Sequence, residues 1–339
     1  MIGFGVVGYG YWGPNLVRNL SELPGAAVVV VADAKAERQR LAKTRHPVVE
    51  VTNDADRLID DPRVDAVVIA TPVASHFELA RKALLAGKHV LVEKPICASA
   101  REAEELISLA NARSLVLMVD HTFPYTGAVR KIKQLIDTGE IGQVYYYDGV
   151  RVNLGLFQKD VSVLWDLAVH DLSIMDYVLG KHPVAVSCTG CNHIPGQPED
   201  IAHMTLFFDG SLIAHLHVNW LSPVKLRRTL IGGSEKMIVY DDLEASEKIK
   251  VHNKGLVMEA DQENLNQMLL RGYRSGDVWS PQVDLTEALR VELLHFMQCI
   301  EGKEKPLTDG RSGLRVVRIL EAAEQSLRMR GAPVQLEAS

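Results

Sequence analysis

The stretch that decides the fold is Ile-Gly-Phe-Gly-Val-Val-Gly-Tyr-Gly-Tyr-Trp-Gly-Pro, residues 2–14. Gly-x-Gly-x-x-Gly occurs in it twice, as Gly3/Gly5/Gly8 and as Gly8/Gly10/Gly13. The first copy has no strand before it and is discarded. The second follows the apolar run ending at Val7 and leads into a helical pattern starting near Pro14. Proline suits a first helical turn, because the N–H it lacks would have no partner there. In that context Gly8 permits a tight turn, Gly10 lets a pyrophosphate approach the backbone, and Gly13 allows close helix–strand packing. The phosphates would sit at the helix N-terminus, where free N–H groups favour an anion. Tyr11 and Trp12, inside the loop, belong to the same candidate cofactor site.

Asp33 ends the second strand run, 20 residues after Gly13. Its carboxylate can accept from ribose hydroxyls and would repel a 2′-phosphate, so NAD is expected over NADP. Arg38 stands close enough in sequence to leave NADP open.

Outward from this loop the first 120 residues alternate short apolar runs with helical patterns. The runs are Ile2–Val7, Ala27–Ala32, Ala66–Ala70, His89–Val92 and Leu115–Val119. Between them, Ser75–Ala86 and Ser99–Ala110 carry apolar residues at three- and four-residue spacings. Strands apolar on both faces and separated by helices indicate a doubly wound parallel sheet, an α/β Rossmann domain over residues 1–120. After that the rhythm changes. Helices are expected over Thr126–Thr138 and Val163–Leu179, a long strand over Gln143–Asn153, and several strands in succession over Val184–Tyr240. Residues 253–283 read as a polar excursion, and Leu285–Ile300 and Arg311–Arg330 as closing helices. Residues 121–339 are therefore expected to form an α+β domain with a mostly antiparallel sheet, the final helices being free to pack back on the first domain.

One hairpin allows a register argument around the Asp209-Gly210 turn signal. A three-residue loop, Asp209–Ser211, pairs Phe208 with Leu212, Leu206 with Ala214 and Met204 with Leu216. That gives one wholly apolar face and is preferred over a two-residue loop. It collects His203, His215 and His217 on the other face.

The chain has 339 residues, 47% hydrophobic and 24% charged, with 37 basic against 43 acidic groups and a net charge of −6. This excludes a disordered polymer, a collagen-like repeat and a polytopic membrane protein, and no basic surplus points to nucleic acid. No charge precedes Arg18, and five glycines and a proline stand in the first 17 residues, unlike an export signal. Four cysteines are too few for a disulfide scaffold, so a cytoplasmic protein is expected.

Gly87-Lys88-His89-Val90-Leu91-Val92-Glu93-Lys94-Pro95 is the second signal. Lys94 falls at the C-terminal end of an expected parallel strand, the edge where doubly wound folds bind ligands. A lysine there can donate to a substrate oxygen and stabilise an alkoxide. Taken alone it is more often a solvated strand-end residue. The third signal, Trp165-Asp166-Leu167-Ala168-Val169-His170, places Asp166 and His170 one helical turn apart. The carboxylate can orient the imidazole, which can shuttle a proton near neutral pH. An ordinary helix-surface pair has the same spacing.

In this order, Gly8–Gly13, Glu93-Lys94-Pro95 and Asp166-x-x-x-His170 resemble the glucose–fructose oxidoreductase/inositol dehydrogenase (Gfo/Idh/MocA) family. Thr71-Pro72 with His76, and Gly87–Val90, look like that family as well. The likeness runs from residue 1 to about 220. It implies NAD(P)-dependent oxidation or reduction of a secondary alcohol or ketone on a sugar, inositol or sugar nucleotide. By position it implies Lys94 orienting the reacting oxygen, His170 as acid/base, Asp166 orienting His170, and Thr71, Pro72 and Glu93 lining the nicotinamide side. This chain departs from the family in having Asp171 directly after His170, and Asp120–Tyr125 where many members have Asn-x-Arg. Both departures bear on the substrate. His121, Tyr125, Asn153 and Trp165 are candidate substrate-pocket groups.

Two other classes stay open: an NAD-sensing regulator without catalysis, and a reductase of a non-sugar carbonyl or imine. Cys188-x-x-Cys191, with only His193 near, is read as coincidence and not as a redox or zinc motif. The His203/His215/His217 face is read as a surface packed on another subunit, giving a homodimer or homotetramer and no metal site.

Overall fold

The computed structural model describes residues 1–155, 161–256 and 273–337. The chain divides into two compact units, Met1–Thr126 with Thr286–Glu321, and Gly127–Leu285 with Ala322–Ser339.

The first unit is built on β1 (Ile2–Val7), β2 (Ala26–Ala32), β3 (Glu50–Thr52), β4 (Ala66–Ile69), β5 (His89–Glu93) and β6 (Leu117–Asp120). They form one parallel sheet in the order β3-β2-β1-β4-β5-β6. Chain order reverses beside β1, and the carboxyl edge at such a switch point is where an open α/β sheet leaves a crevice. Strands β1 and β4 are buried at every residue, as expected for a sheet covered on both faces. The helix Ala288–Ile300 returns from the end of the chain to this core, burying Leu289, Leu293, Phe296 and Met297 with Phe4, Leu16 and Leu20.

The second unit carries β7 (Val144–Leu154), β8 (Ala185–Cys191), β9 (Ile201–Phe207), β10 (Ile213–Asn219), β11 (Leu221–Gly233), β12 (Met237–Asp241) and β13 (Ile249–His252). Strands β14 (Gly255–Leu256) and β15 (Tyr273–Arg274) form a small sheet of their own. With β16 (Val278–Trp279) and β17 (Val334–Gln335), the large sheet runs β16-β13-β12-β11-β7-β10-β9-β8-β17. Every pair in it is antiparallel except β7 with β10. The β9–β10 register sets Leu206 opposite Ala214 and Met204 opposite Leu216, the pairing of the three-residue loop. Those four side chains are buried, and His203 and His217 face each other on the opposite side. Part of the 253–283 excursion, residues 257–272, lies outside the described residues.

A buried ion pair pins the helix Val169–Leu179 to this sheet. Arg151, pointing inward from β7, donates through Nε to Asp171 Oδ2 at 2.7 Å and through one terminal nitrogen to Oδ1 at 3.1 Å. The two side chains are only 3% and 5% exposed. The two-pronged geometry matches a guanidinium to a carboxylate and fixes the helix in both position and rotation.

Among the described residues no helix is long and apolar enough to cross a membrane.

Removing one partner of the Arg151–Asp171 pair strands the other charge in the interior. Arg151→Met alone should cost about 3–5 kcal/mol of stability. Arg151→Met with Asp171→Leu should recover most of that, as read by the shift in the urea unfolding midpoint of the second unit.

Candidate active site

The Gly-rich loop lies at the carboxyl end of β1. Gly8 has φ +98°, where L side chains are strained, and a Cβ there would lie 2.3 Å from the Ala70 carbonyl oxygen. A Cβ on Gly13 would lie 2.1 Å from the Gly8 carbonyl oxygen, so the helix Gly13–Glu22 packs as closely as backbone allows. Above Gly10, by contrast, a Cβ would meet nothing within 4 Å. The helix has no side-chain cap and no acid in its first turn; Pro14 lacks an N–H and the Asn15 N–H donates to the Trp12 carbonyl at 2.8 Å, so the first turn offers an anion chiefly the positive end of the helix dipole. Asp33 closes the loop from β2: Oδ2 accepts the Tyr9 N–H at 2.7 Å and Oδ1 the Lys35 N–H at 2.8 Å. Carboxylate oxygens keep further lone pairs, so these bonds orient Asp33 and still leave it able to accept from a ribose. These features fit a dinucleotide.

Thr71 stands two residues after β4 and Lys94 directly after β5, along the same carboxyl edge. His76 is buried, with Nδ1 2.8 Å from the Pro95 carbonyl oxygen and Nε2 2.8 Å from that of Thr71. Burial lowers its pKa in spite of the two carbonyls. It thus ties the Thr71 and Pro95 segments together and reaches a cofactor only through the backbone it holds. The Lys94–Pro95 peptide is cis. Tyr11 and Pro72 are exposed, while Trp12 is half-buried.

Trp12 leads to a feature that the sequence pattern does not reveal. Its indole N–H donates to Asp120 Oδ2 at 2.9 Å, and the Thr122 hydroxyl donates to Oδ1 at 2.8 Å. Asp120 is the cross-strand neighbour of Glu93, and Glu292, from the helix Ala288–Ile300, lies within hydrogen-bonding reach of it. Glu292 is fully buried, and the Thr122 hydroxyl, already donating to Asp120 Oδ1, is also within its hydrogen-bonding reach. Carboxylates cannot donate to one another; a proton turns each close oxygen pair into a hydrogen bond. Burial first, and then the charge of Asp120, push both Glu93 and Glu292 well above the usual carboxylate range. Protonated, the two donate toward Asp120, which holds Trp12 in the loop. One signal was available. Leu289, Glu292, Leu293 and Phe296 stand at i, i+3, i+4 and i+7, so the glutamate sits on the apolar stripe of its own helix.

The neighbouring candidates are equally enclosed. His121 is 1% exposed, and Tyr125 is buried with its hydroxyl 3.2 Å from that of Thr308. Burial raises the Tyr125 pKa well above its ordinary value.

In the second unit, Leu164–Ala168 forms a turn of π-helix before the α-helix Val169–Leu179. The helix expected over Val163–Leu179 is present and opens on this turn: a π-turn spaces its hydrogen bonds five residues apart and shifts the facing of the residues after it. Asp166 lies in that turn and accepts the Trp220 indole N–H at 3.1 Å. His170 is the second residue of the α-helix, next to Asp171, the residue Arg151 holds. Asn153 is half-buried on β7. Trp165 is buried, and its single donor goes to Glu324 at 2.6 Å. The Cys188-x-x-Cys191 spacing is no dithiol here: three residues apart on β8, the two point to opposite faces, Cys188 buried and Cys191 exposed. Among the described residues no group of three His, Cys, Asp or Glu could hold a metal ion.

Comparison with known sequences agrees with this geometry. Residues 2–121 match the oxidoreductase family with an NAD-binding Rossmann fold, and residues 129–239 match the GFO/IDH/MocA C-terminal domain. The chain belongs to the Gfo/Idh/MocA oxidoreductase family. Among its relatives, scyllo-inositol 2-dehydrogenase (NAD(+)) of Bacillus subtilis is 26% identical, over 99% of this chain and 95% of that one. UDP-N-acetylglucosamine 3-dehydrogenase of Acidithiobacillus ferrooxidans is 27% identical over 92% and 93%. The solved structure of UDP-N-acetylglucosamine 3-dehydrogenase GnnA from Acidithiobacillus ferrooxidans superposes with a TM-score of 0.82 at 24% identity, covering 97% of this chain and 99% of that one, and so shares the fold. This Gfo/Idh/MocA oxidoreductase therefore has an NAD-binding Rossmann fold.

The raised carboxyls give the first unit a pH signature. An unfolded glutamate titrates at about 4.3, and the folded protein holds these protons more tightly. Stability is therefore present below that value and lost as pH rises through the folded pKa values. Glu292→Gln keeps the shape and cannot ionise. Its Tm advantage over the parent should grow between about pH 5 and about pH 9. A constant difference across that range would mean Glu292 does not carry the proton.

Proposed function

We propose that this enzyme oxidises a secondary alcohol of a sugar, inositol or sugar nucleotide, or reduces the matching ketone. The observation that carries the reading is the position of Lys94, at the carboxyl end of β5 on the edge that also bears Gly8–Gly13 and Thr71. The curated relatives act on an inositol and on a sugar nucleotide by name, which supports the same substrate class here.

When bound, NAD supplies the hydride acceptor. The chain does the rest. Backbone donors at Gly8–Gly13 hold the phosphates, Asp33 the adenosine ribose, and Tyr11, Trp12, Thr71, Pro72 and Glu93 border the cofactor. Lys94, a three-donor ammonium, orients the substrate oxygen and stabilises the alkoxide as it forms. His170 takes the hydroxyl proton and returns it in the reverse direction. Asp166, fixed by the Trp220 indole, orients His170. His121, Tyr125, Asn153 and Trp165 shape the surroundings of the substrate. The first unit is then the cofactor domain, and Asp166 and His170 belong to the second.

The protein works as a cytoplasmic homodimer or homotetramer through the outward face of the large sheet. Half-buried Val150, Ile201, Phe207 and Ile213 lie there with the His203–His217 stack, whose ring centroids are 4.2 Å apart. Light scattering that gives a monomer at micromolar concentration would remove this part of the reading.

Lys94→Ala and His170→Ala should each lower kcat by roughly 10²–10⁴-fold, with NAD binding, read by tryptophan fluorescence, little changed. Unchanged turnover in either variant would withdraw its role. A screen of NAD⁺ reduction over sugars, inositols and UDP-sugars tests the class; NAD binding with no turnover of any of them would favour a regulatory protein.

A further inference from the structure

The loop joining β8 to β9 brings together three side chains that the oxidoreductase chemistry does not use. Cys191, the last residue of β8, is exposed. Its Sγ lies 3.9 Å from His193 Nε2, within hydrogen-bonding distance for sulfur. The other ring nitrogen, Nδ1, is 2.8 Å from Asp200 Oδ1, and the His193 backbone N–H donates to Oδ2 at 2.7 Å. Asp200 is 1% exposed and rigidly seated: its own N–H donates to the Cys191 carbonyl at 3.1 Å, and its carbonyl accepts the Trp220 N–H at 2.9 Å.

This order assigns roles. A carboxylate only accepts, so the proton of a neutral His193 ring lies on Nδ1. Nε2 then presents its lone pair to the sulfur and can take the thiol proton, leaving a thiolate beside an imidazolium. A nucleophile, a base within reach and a third group that orients the base are the arrangement of an activated thiol. A shared cation is a poor alternative, because the ring holds carboxylate and sulfur on opposite nitrogens and the three cannot converge. The remaining cysteines are buried: burial pushes Cys97 and Cys188 up to about 12 and Cys299 to about 11.

We propose that Cys191, activated by His193 and Asp200, is a site of thiol–disulfide exchange with low-molecular-weight disulfides. The Cys191 proton passes to His193 Nε2, and Sγ attacks one sulfur of the disulfide. A mixed disulfide forms as the reagent's S–S bond breaks, and the departing thiolate takes the proton from His193. Exchange with a second thiol reverses the step.

The test uses the full chain and oxidised glutathione, with adducts mapped by peptide mass. An unassisted thiol ionises only near pH 8.5, so the assistance shows below that. At about pH 7 the rate of adduct formation on Cys191 should fall about tenfold in His193→Gln. At about pH 9.5, above the range in which a base assists an ordinary thiol, the two proteins should agree within about twofold. The His193 side chain is half exposed, and circular dichroism of His193→Gln checks that the fold is kept. Cys191→Ser should form no glutathione adduct at position 191. A loss of less than twofold in His193→Gln at the lower pH, or an adduct on Cys97, Cys188 or Cys299 in place of Cys191, overturns the proposal.

Discussion

Between Gly13 and the Gly8 carbonyl there is no room for a methyl group, and much of the first unit depends on that approach. It brings the helix N-terminus over the end of β1, which aims the positive end of the helix dipole into the crevice at the switch point of the sheet. The loop between the two glycines is then held from both sides: Asp33 takes the Tyr9 N–H, and Asp120 takes the Trp12 indole. With a net charge of −6 the protein as a whole repels an anionic cofactor, so its affinity rests on these locally oriented backbone dipoles. The three carboxyls under Trp12 would oppose the same anion if all were ionised. Protons held on Glu93 and Glu292 remove most of that repulsion, which gives the buried acids a role compatible with the loop they support.

The second unit has its own anchor in the Arg151–Asp171 pair. His170 is the immediate neighbour of Asp171, so the ion pair sets where the imidazole starts on its helix. The π-turn just before it sets the facing of Asp166, whose carboxylate the Trp220 indole then fixes. Three separate elements, a strand, an irregular helical turn and a buried tryptophan, thus define the placement of two side chains.

Much of this was legible in the sequence where period and parity decide. The β9–β10 register followed from Leu206, Ala214, Met204 and Leu216 because a slip by one residue would turn all four outward. The fingerprint was readable because strand, turn and helix had to stand in order around Gly8–Gly13. β3 was not, since Glu50–Thr52 is three residues long with one apolar side chain. The π-turn leaves no mark, because Leu164–Ala168 has the same apolar pattern as an α-helical turn. Arg151 and Glu292 were missed for one reason: each is a charge on a buried face, and binary patterning assigns charges to water. Only the partner, Asp171 for one and Asp120 for the other, makes such a position intelligible.

The first unit takes Thr286–Glu321 from the far end of the chain, and Phe296 and Leu293 from that stretch lie fully buried in its core. A ribosome emits residue 126 long before residue 321. At roughly 5–20 residues per second, the nascent Rossmann sheet waits on the order of ten to forty seconds with the seat of that helix open. The whole intervening unit is synthesised during this wait. The order of synthesis therefore inverts the order of completion: the unit that begins first cannot close until nearly the entire polypeptide has emerged.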